Sequence, residues 1–417
     1  MQSKPGKSDT ERTKGRRRIL MLLENCPFPK DDRVRREARA LISAGYQVTV
    51  IAPASRSQPM REMWEGVNVY RYPPPVEKVG FVGYIWEYAY SLTRIFLLSL
   101  YVFFREGFDI VHAHQPPDLF VFIAGFYKLL GKKYVLDHHD LAPDLYEARF
   151  RGRSKWIVTR VLVWLEKFAC RLADRVIATN ESYKRVEMER DHVDEGRIVI
   201  VRNGPDLQEL YQSEGEPALR KNGKTIIGYV GVMGTQDGVD NLLYAIKHLV
   251  FEIGRKDVLC VLVGSGNALP ELKHLSECLG LAEYVQFTGW VDGQEQVLRY
   301  LNAMNVCAAP EPGDVYNQRS TAAKVMEYMA VGKPVVSFDL IEHRFSAQDA
   351  ALYASPNDCA DFACKLDFLI DNPAVQGRLG RYGLERIHNQ LAWQHQSKLL
   401  VRMYKLLTSE ETERMEA

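Results

Sequence analysis

Short apolar runs alternate with helical patterns along almost the whole chain, and the series is played twice. The first series runs through "RRILMLL", "QVTVIAP", "FDIVHAH", "KKYVLDHH" and "DRVIATN", with stretches such as "VRREARALISAGY" between them. Strands spaced by lengths that hold a helix specify βαβ units and a parallel sheet covered on both faces. After "IVIVRNGPDL" the chain turns polar, with Gly215, Pro217 and Gly223. The alternation then restarts at "TIIGYVG" and continues through "VLCVLVG", "VQFTG", "NVCAAP", "PVVSFD" and "ALYAS". A length of 417 residues also exceeds one ordinary core. The expected fold is α/β, with two doubly wound Rossmann-like domains at residues 19–205 and 223–390, joined by a linker at 206–222. The amphipathic segment 391–417 is expected to cross back to the first domain. Ligands of open parallel sheets bind beyond the carboxyl ends of strands, so two such edges facing a central cleft form the expected site.

Composition narrows the function. A formal net charge of +1 gives no field that would attract nucleic acid. Residues 1–18 nevertheless hold Lys4, Lys7, Arg12, Lys14, Arg16, Arg17 and Arg18 against Asp9 and Glu11, which predicts a disordered basic arm. Seven scattered cysteines form no CxxC pair, and "ILMLL" is too short for a signal segment, so a cytoplasmic chain with reduced thiols is expected. Residues 79–104 carry nine aromatics, but Glu87 and Arg94 leave only ten uncharged residues at the end. That is half of what a bilayer span needs. The segment reads as a helix buried on a sheet, or alternatively as one lying at a membrane surface.

The stretch "STAAKVMEYMAVGKPVVSFD", residues 320–339, draws attention to chemistry. Ser320 is placed to cap a helix, Gly332 to end it, and Pro334 to prevent its continuation. Its N-terminus follows the "NVCAAP" strand, on the ligand side, where backbone N–H groups and the helix dipole favour phosphate. Lys324 adds a cation there. Glu327, about one turn further in, is placed to accept both hydroxyls of a ribose; the competing reading is an i,i+3 Lys324–Glu327 pair on a solvated face. Elsewhere, His112 and His114 alternate on one strand and His138 and His139 end another beside Asp137 and Asp140, in a spacing that fits no specific zinc pattern. Gly264 and Gly266 lack the third glycine of a dinucleotide loop. Arg33 and Arg36, just past the first strand, are candidates to hold an acceptor phosphate, with solvated helix charge as the alternative.

"KVMEYMAVGKPVV" closely resembles the signature of family 4 glycosyltransferases. The likeness extends in order through "DDRVRREARALISAGYQVTVIAP", "DIVHAHQPPD", "YVLDHHDLAPDLYE", "RVIATNES", "VIVRNGPDL", "YVGVMGTQDGVDNLLYA", "LVGSG" and "FTGWV". The resemblance implies the GT-B fold and retaining transfer of a sugar from a nucleotide-sugar donor, with no metal and no other cofactor. It places Glu327 on the nucleotide ribose, and His139 rather than His138 beside the donor sugar. Gly231 and Gly234 let backbone approach the donor closely, Gly264 and Gly266 fall near the donor phosphates or base, and Trp290 and Val291 lie beside the base, with domain packing as the alternative for Trp290. Ser320 and Thr321 join the donor site at the helix start, and His114 lines the acceptor side.

Two departures stand out. The first acid of the family's E-x7-E pattern falls on Arg319, leaving Glu311, Asp314 or Asn317 as substitutes. The phosphate-gripping Arg and Lys fall on Val232 and Asp237, so Lys324 and Arg319 are expected to supply the missing cations. The alternative is a GT-B chain that has lost the reaction and activates another transferase. A lipid-linked glycan of cell-surface polysaccharide synthesis suits the acceptor, because the basic arm and the aromatic segment suit a peripheral place on a membrane.

Overall fold

The computed structural model describes residues 17–55, 58–76, 81–149, 155–220 and 223–416. Residues 1–16 of the expected basic arm lie outside them. The chain forms two compact units. One groups residues 1–143, 154–201 and 397–417; the other groups 144–153 and 202–396.

The first unit holds eight strands: β1 Arg18–Leu22, β2 Gln47–Pro53, β3 Arg61–Trp64, β4 Val67–Tyr72, β5 Ile110–His114, β6 Lys133–His138, β7 Arg175–Ala178 and β8 Ile198–Ile200. Their order is β3-β4-β2-β1-β5-β6-β7-β8, and every pair is parallel except β3–β4. That hairpin turns on Glu65 and Gly66, both at positive φ, as a tight two-residue connection between twisted strands requires. Asp31 starts the helix Asp32–Ser43 by accepting from the Val34 N–H, and Asn180 does the same for Glu181–Glu189. The helices Phe81–Arg105, Phe120–Leu129 and Lys155–Leu172 bring Ile95, Val102, Tyr127 and Ala169 onto Leu20, Leu22, Val111, Leu136 and Val176 of the sheet. Each fully buried side chain of this kind contributes about 1.5–3 kcal/mol. The last helix, Trp393–Glu416, groups with this unit from Ser397 onward, and its buried Tyr404 hydroxyl lies 2.8 Å from His112 Nδ1.

The second unit holds β9 Thr225–Val230, β10 Val258–Val263, β11 Val285–Gly289, β12 Val306–Ala309, β13 Val335–Phe338 and β14 Ala351–Ala354, ordered β11-β10-β9-β12-β13-β14 and all parallel. Strand alternation divides its core. Ile227, Leu262, Ala308 and Val336 pack with Leu243, Ile246, Phe362 and Leu366, while their neighbours Ile226, Val261, Cys307 and Val335 pack with Leu301, Met326, Tyr328 and Ile387. A sheet buried on both faces follows directly. Strand order reverses between β9 and β12, and the switch point of such a sheet is where a ligand crevice forms.

Candidate active site

At the carboxyl end of β9 the chain passes through Gly231, at φ +153°, into a loop that meets the loop after β10. The Gly231 N–H donates to the Val263 carbonyl and the Met233 N–H to the Ser265 carbonyl, both at 3.0 Å. A Cβ on Gly264 would lie 2.0 Å from the Gly231 carbonyl oxygen, and one on Gly266 would lie 2.4 Å from that of Met233. These glycines are therefore demanded by backbone packed on backbone. Gly234 is less constrained, since a Cβ there meets the movable amide of Gln236, and Val232 is exposed.

The expected cap at Ser320 is corrected. Asp314 accepts from the Asn317 N–H and starts a separate short helix, Val315–Arg319, which Ser320 ends. The following helix, Ala323–Ala330, starts after Ala322 with no side-chain cap, and Thr321 lies in the connection. Gly332, at φ +71°, follows its end as the sequence leads one to expect.

Lys324, one residue into this helix, is the hub of the site. Its Nζ lies 2.6 Å from Glu311 Oε1 and 3.3 Å from Asp237 Oδ1, and donates to the Tyr229 hydroxyl at 3.0 Å. The ammonium also lies 4.6 Å from the centre of the Tyr229 ring. Burial opposes the lysine's charge, but Glu311 foremost, then Tyr229 and Asp237, hold its basicity well above the usual range. Burial also opposes ionisation of Glu311, yet Lys324 and His343 outweigh it and lower that pKa. Asp237 behaves oppositely although it shares the same cation. Burial raises its pKa, Lys324 only partly compensates, and like-charge repulsion from Glu311 adds to the rise. The two distances explain the split: Glu311 holds the lysine closely and Asp237 loosely. Lys324, expected to meet phosphate, thus carries two carboxylates of its own unit.

Glu327 is half-buried one turn beyond Lys324. Arg319 Nη1 donates to Asp144 Oδ1 at 2.6 Å, a residue that groups with this unit. Of the three substitutes considered for the missing acid, Glu311 serves Lys324, Asp314 caps its helix, and Asn317 donates to the Gln236 carbonyl. Trp290, just past β11, is 69 % exposed and donates to Asp292, while Val291 packs against the core.

In the first unit a second constellation gathers at the carboxyl ends of β5 and β6. Asp137 is fully buried and accepts from Arg33 Nε at 2.7 Å and Nη2 at 2.6 Å; His114 Nδ1 lies 2.9 Å and His139 Nδ1 3.1 Å from its Oδ2. The β5–β6 register, which sets His114 opposite Asp137, is what brings them together. Burial opposes ionisation of Asp137, but Arg33 and then His139 hold its pKa well below the usual range. Arg33, expected to face an acceptor, is instead buried, with its fork on Asp137 and Nη1 donating to the Val201 carbonyl. Arg36 donates to the Asp32 carbonyl. His114 is fully buried and adjoins the same carboxylate.

His138 is also enclosed, 3.0 Å from Glu187 and 3.5 Å from Glu166. Among the four histidines of these strand ends, His112, His114 and His138 have no exposed surface; His139 keeps 14 % of its side chain open. Burial opposes protonation of His139, and Asp137, the larger opposing influence, raises its pKa overall. The sequence pointed to His139 but not to the hub Asp137, nor to Tyr229 as a partner of Lys324. The signal available was Asp137 immediately ahead of two histidines at a strand end.

Among the described residues, two groups bring metal-ligating atoms together: Glu37, His112, His114 and Asp137, and separately His138, Cys170 and Asp191. The first is already crossed by the Arg33 guanidinium, 3.3 Å from Glu37 and bound to both oxygens of Asp137. The depression lined by Arg18, Tyr46, Thr49 and Glu106 lies at the amino ends of β1 and β2, the edge of this sheet opposite the Asp137 cluster. No helix among the described residues is long and apolar enough to cross a membrane.

Glycine loops and a cationic hub gather at the switch point of the second sheet, and an acid-held histidine stands at the strand ends of the first. Residues 33–209 match the model of glycosyltransferase family 4, and residues 224–372 that of glycosyl transferases group 1. The chain belongs to this family and is a glycosyltransferase of GT-B fold. It is 22 % identical over 385 residues to an uncharacterized glycosyltransferase of Methanocaldococcus jannaschii, covering 88 % of this chain and 92 % of that one. It is 24 % identical over 212 residues to the UDP-Gal:alpha-D-GlcNAc-diphosphoundecaprenol alpha-1,3-galactosyltransferase of Escherichia coli, covering 49 % and 53 %. Among solved structures, the sucrose-phosphate synthase of Thermosynechococcus elongatus superposes with a TM-score of 0.78 at 19 % identity, covering 95 % of this chain and 100 % of that chain. Family membership favours the transferase over the activating partner considered above.

Proposed function

We propose that this glycosyltransferase moves a sugar from a nucleoside diphosphate donor to a hydroxyl of a glycan or lipid-linked glycan, with retention of configuration. The observation that carries the reading is the Lys324 hub, set between glycine loops at the switch point of the second sheet. The donor diphosphate takes the loosely held Asp237 place on Lys324 while Glu311 keeps its grip, and Glu327 accepts the ribose hydroxyls. Lys324 and the N–H groups at the start of its helix offset the charge that develops on the leaving phosphate. His139 donates a hydrogen bond to the donor sugar. The acceptor hydroxyl attacks on the face the phosphate leaves, and the leaving phosphate takes its proton. This reading uses no metal. A lipid-linked acceptor, as in cell-surface polysaccharide synthesis, is the reading we adopt; the diphosphoundecaprenol in the name of the Escherichia coli relative supports such an acceptor, and an enzyme using it works at the inner face of the membrane.

Thermal protection by a panel of nucleotide sugars, read by mass spectrometry, identifies the donor. Calorimetric titration of Glu327→Ala with that nucleotide is expected to show affinity at least about tenfold weaker. Unchanged affinity sinks the ribose assignment.

A further inference from the structure

Three helices of the first unit expose large apolar side chains on one connected surface. On Lys155–Leu172, Trp156, Trp164 and Phe168 recur on one outward stripe, with Trp156 64 % and Trp164 58 % exposed. Trp164 stacks on Phe168 at 5.7 Å between ring centres, and Phe168 lies 6.2 Å from Phe122 of the helix Phe120–Leu129. One turn on, Phe126 packs edge-on against the half-buried Phe96 of the helix Phe81–Arg105 at 5.4 Å, and that helix itself exposes Leu97, Tyr101 and Phe104. Contiguous apolar surface across three elements is far from the scattered exposure ordinary for a soluble domain.

The charge around this stripe selects its partner. The only acid of Lys155–Leu172 is Glu166, which points inward, fully buried, onto Arg190 and His138. The outward side carries Arg160, whose guanidinium lies 4.6 Å from the centre of the Trp156 ring, the half-buried Lys167 two turns on, and Arg171. Phe120–Leu129 contains no acid, and Phe81–Arg105 has Glu87 against Arg94 and Arg105. Rings beside cations, with the acid turned inward, match an anionic lipid headgroup layer: the rings enter the interface and the cations meet phosphate. A second copy would set the same cations against one another.

We propose that this three-helix face docks the enzyme on an anionic bilayer surface without spanning it. The proposal does not rest on the transfer reaction. It also changes the expectation for residues 79–104, since the helix Phe81–Arg105 supplies one edge of the face, while Lys155–Leu172 supplies its most exposed stripe.

The test is sedimentation of the full chain with phosphatidylcholine vesicles, with and without phosphatidylglycerol, and quenching of tryptophan emission by brominated lipid. Binding is expected to vesicles with phosphatidylglycerol and to weaken with salt. It should fall roughly tenfold or more in Trp156→Ser/Trp164→Ser and also in Arg160→Glu/Lys167→Glu. The charge-reversed variant keeps every apolar side chain, so it reads the face even if the first variant folds poorly. Vesicle binding unchanged in both variants, or lost only on removing residues 1–16, overturns the proposal. A concentration-dependent dimer that Trp164→Ser dissolves assigns the face to a second copy, and overturns it as well.

Discussion

Replacing Lys324 by Met tests whether the hub is a stored charge balance. The side chains of Lys324 and Glu311 are 12 % and 6 % exposed and 2.6 Å apart. Removing the ammonium leaves Glu311 buried without its main counter-charge and facing Asp237 across the vacated space. Breaking one side of a buried pair costs about 3–5 kcal/mol. In a unit of this size each kcal/mol moves the melting midpoint by about 2–4 °C, so a fall of about 6–20 °C is expected in the second unit's transition. The same substitution made together with Glu311→Gln should recover a large part of that loss, because the stranded charge is gone. Differential scanning calorimetry of the full chain measures both. A melting point of Lys324→Met within about 2 °C of the parent, or a double variant no better than the single, refutes the account.

Three further outcomes follow from the same geometry. On the proposed reading, Asp237→Asn removes a carboxylate that competes with phosphate for Lys324, so the donor nucleotide identified by thermal protection should bind roughly tenfold more tightly; weaker binding by titration means Asp237 helps hold the loop for the donor instead. His139→Ala should lower turnover about a hundredfold with little change in affinity for the donor nucleotide, and a rise in that Kd with turnover intact places the imidazole elsewhere. The third concerns pH. Burial, then repulsion from Glu166, raises Asp118 to about 7 and Asp191 to about 8, while His138 and Arg190 partly compensate. The folded chain therefore binds protons there that the unfolded chain, with carboxyls near ~4, releases. That stability is fully present at low pH and is lost as pH rises through those values. The melting point of the first unit should fall between about pH 4 and 8, less steeply in Asp118→Asn; equal slopes reject the assignment.

Much of this was legible in the sequence, and the misses share a cause. Apolar runs of four to six residues declared both sheets, because strands covered on both faces must be apolar throughout. The hairpin strand Arg61–Trp64 escaped because it sits at the sheet's edge and alternates exposed with half-buried side chains. The Lys324 helix announced its own cation, but Glu311 and Asp237 are 13 and 87 residues away, brought close only by the β9–β12 pairing. Ser320 misled because Asp314, six residues earlier, caps a turn that local pattern does not reveal. The stripe on Lys155–Leu172 reads as core from its spacing, and periodicity alone says nothing about whether an apolar stripe meets protein or lipid.

The interlocked glycine loops carry an implication for how such an enzyme diversifies. With Gly264 pressed on the Gly231 carbonyl and Gly266 on that of Met233, neither loop accepts a side chain without parting from the other. If these loops cradle the donor as proposed, mutational drift toward a new donor is closed at these positions, because any first step there parts the loops before it alters choice. Variation has freer entry at the rim, where Val232 and Trp290 stand exposed on the same unit. Libraries aimed at a different nucleotide or sugar should leave the glycines fixed and sample those two rim sites.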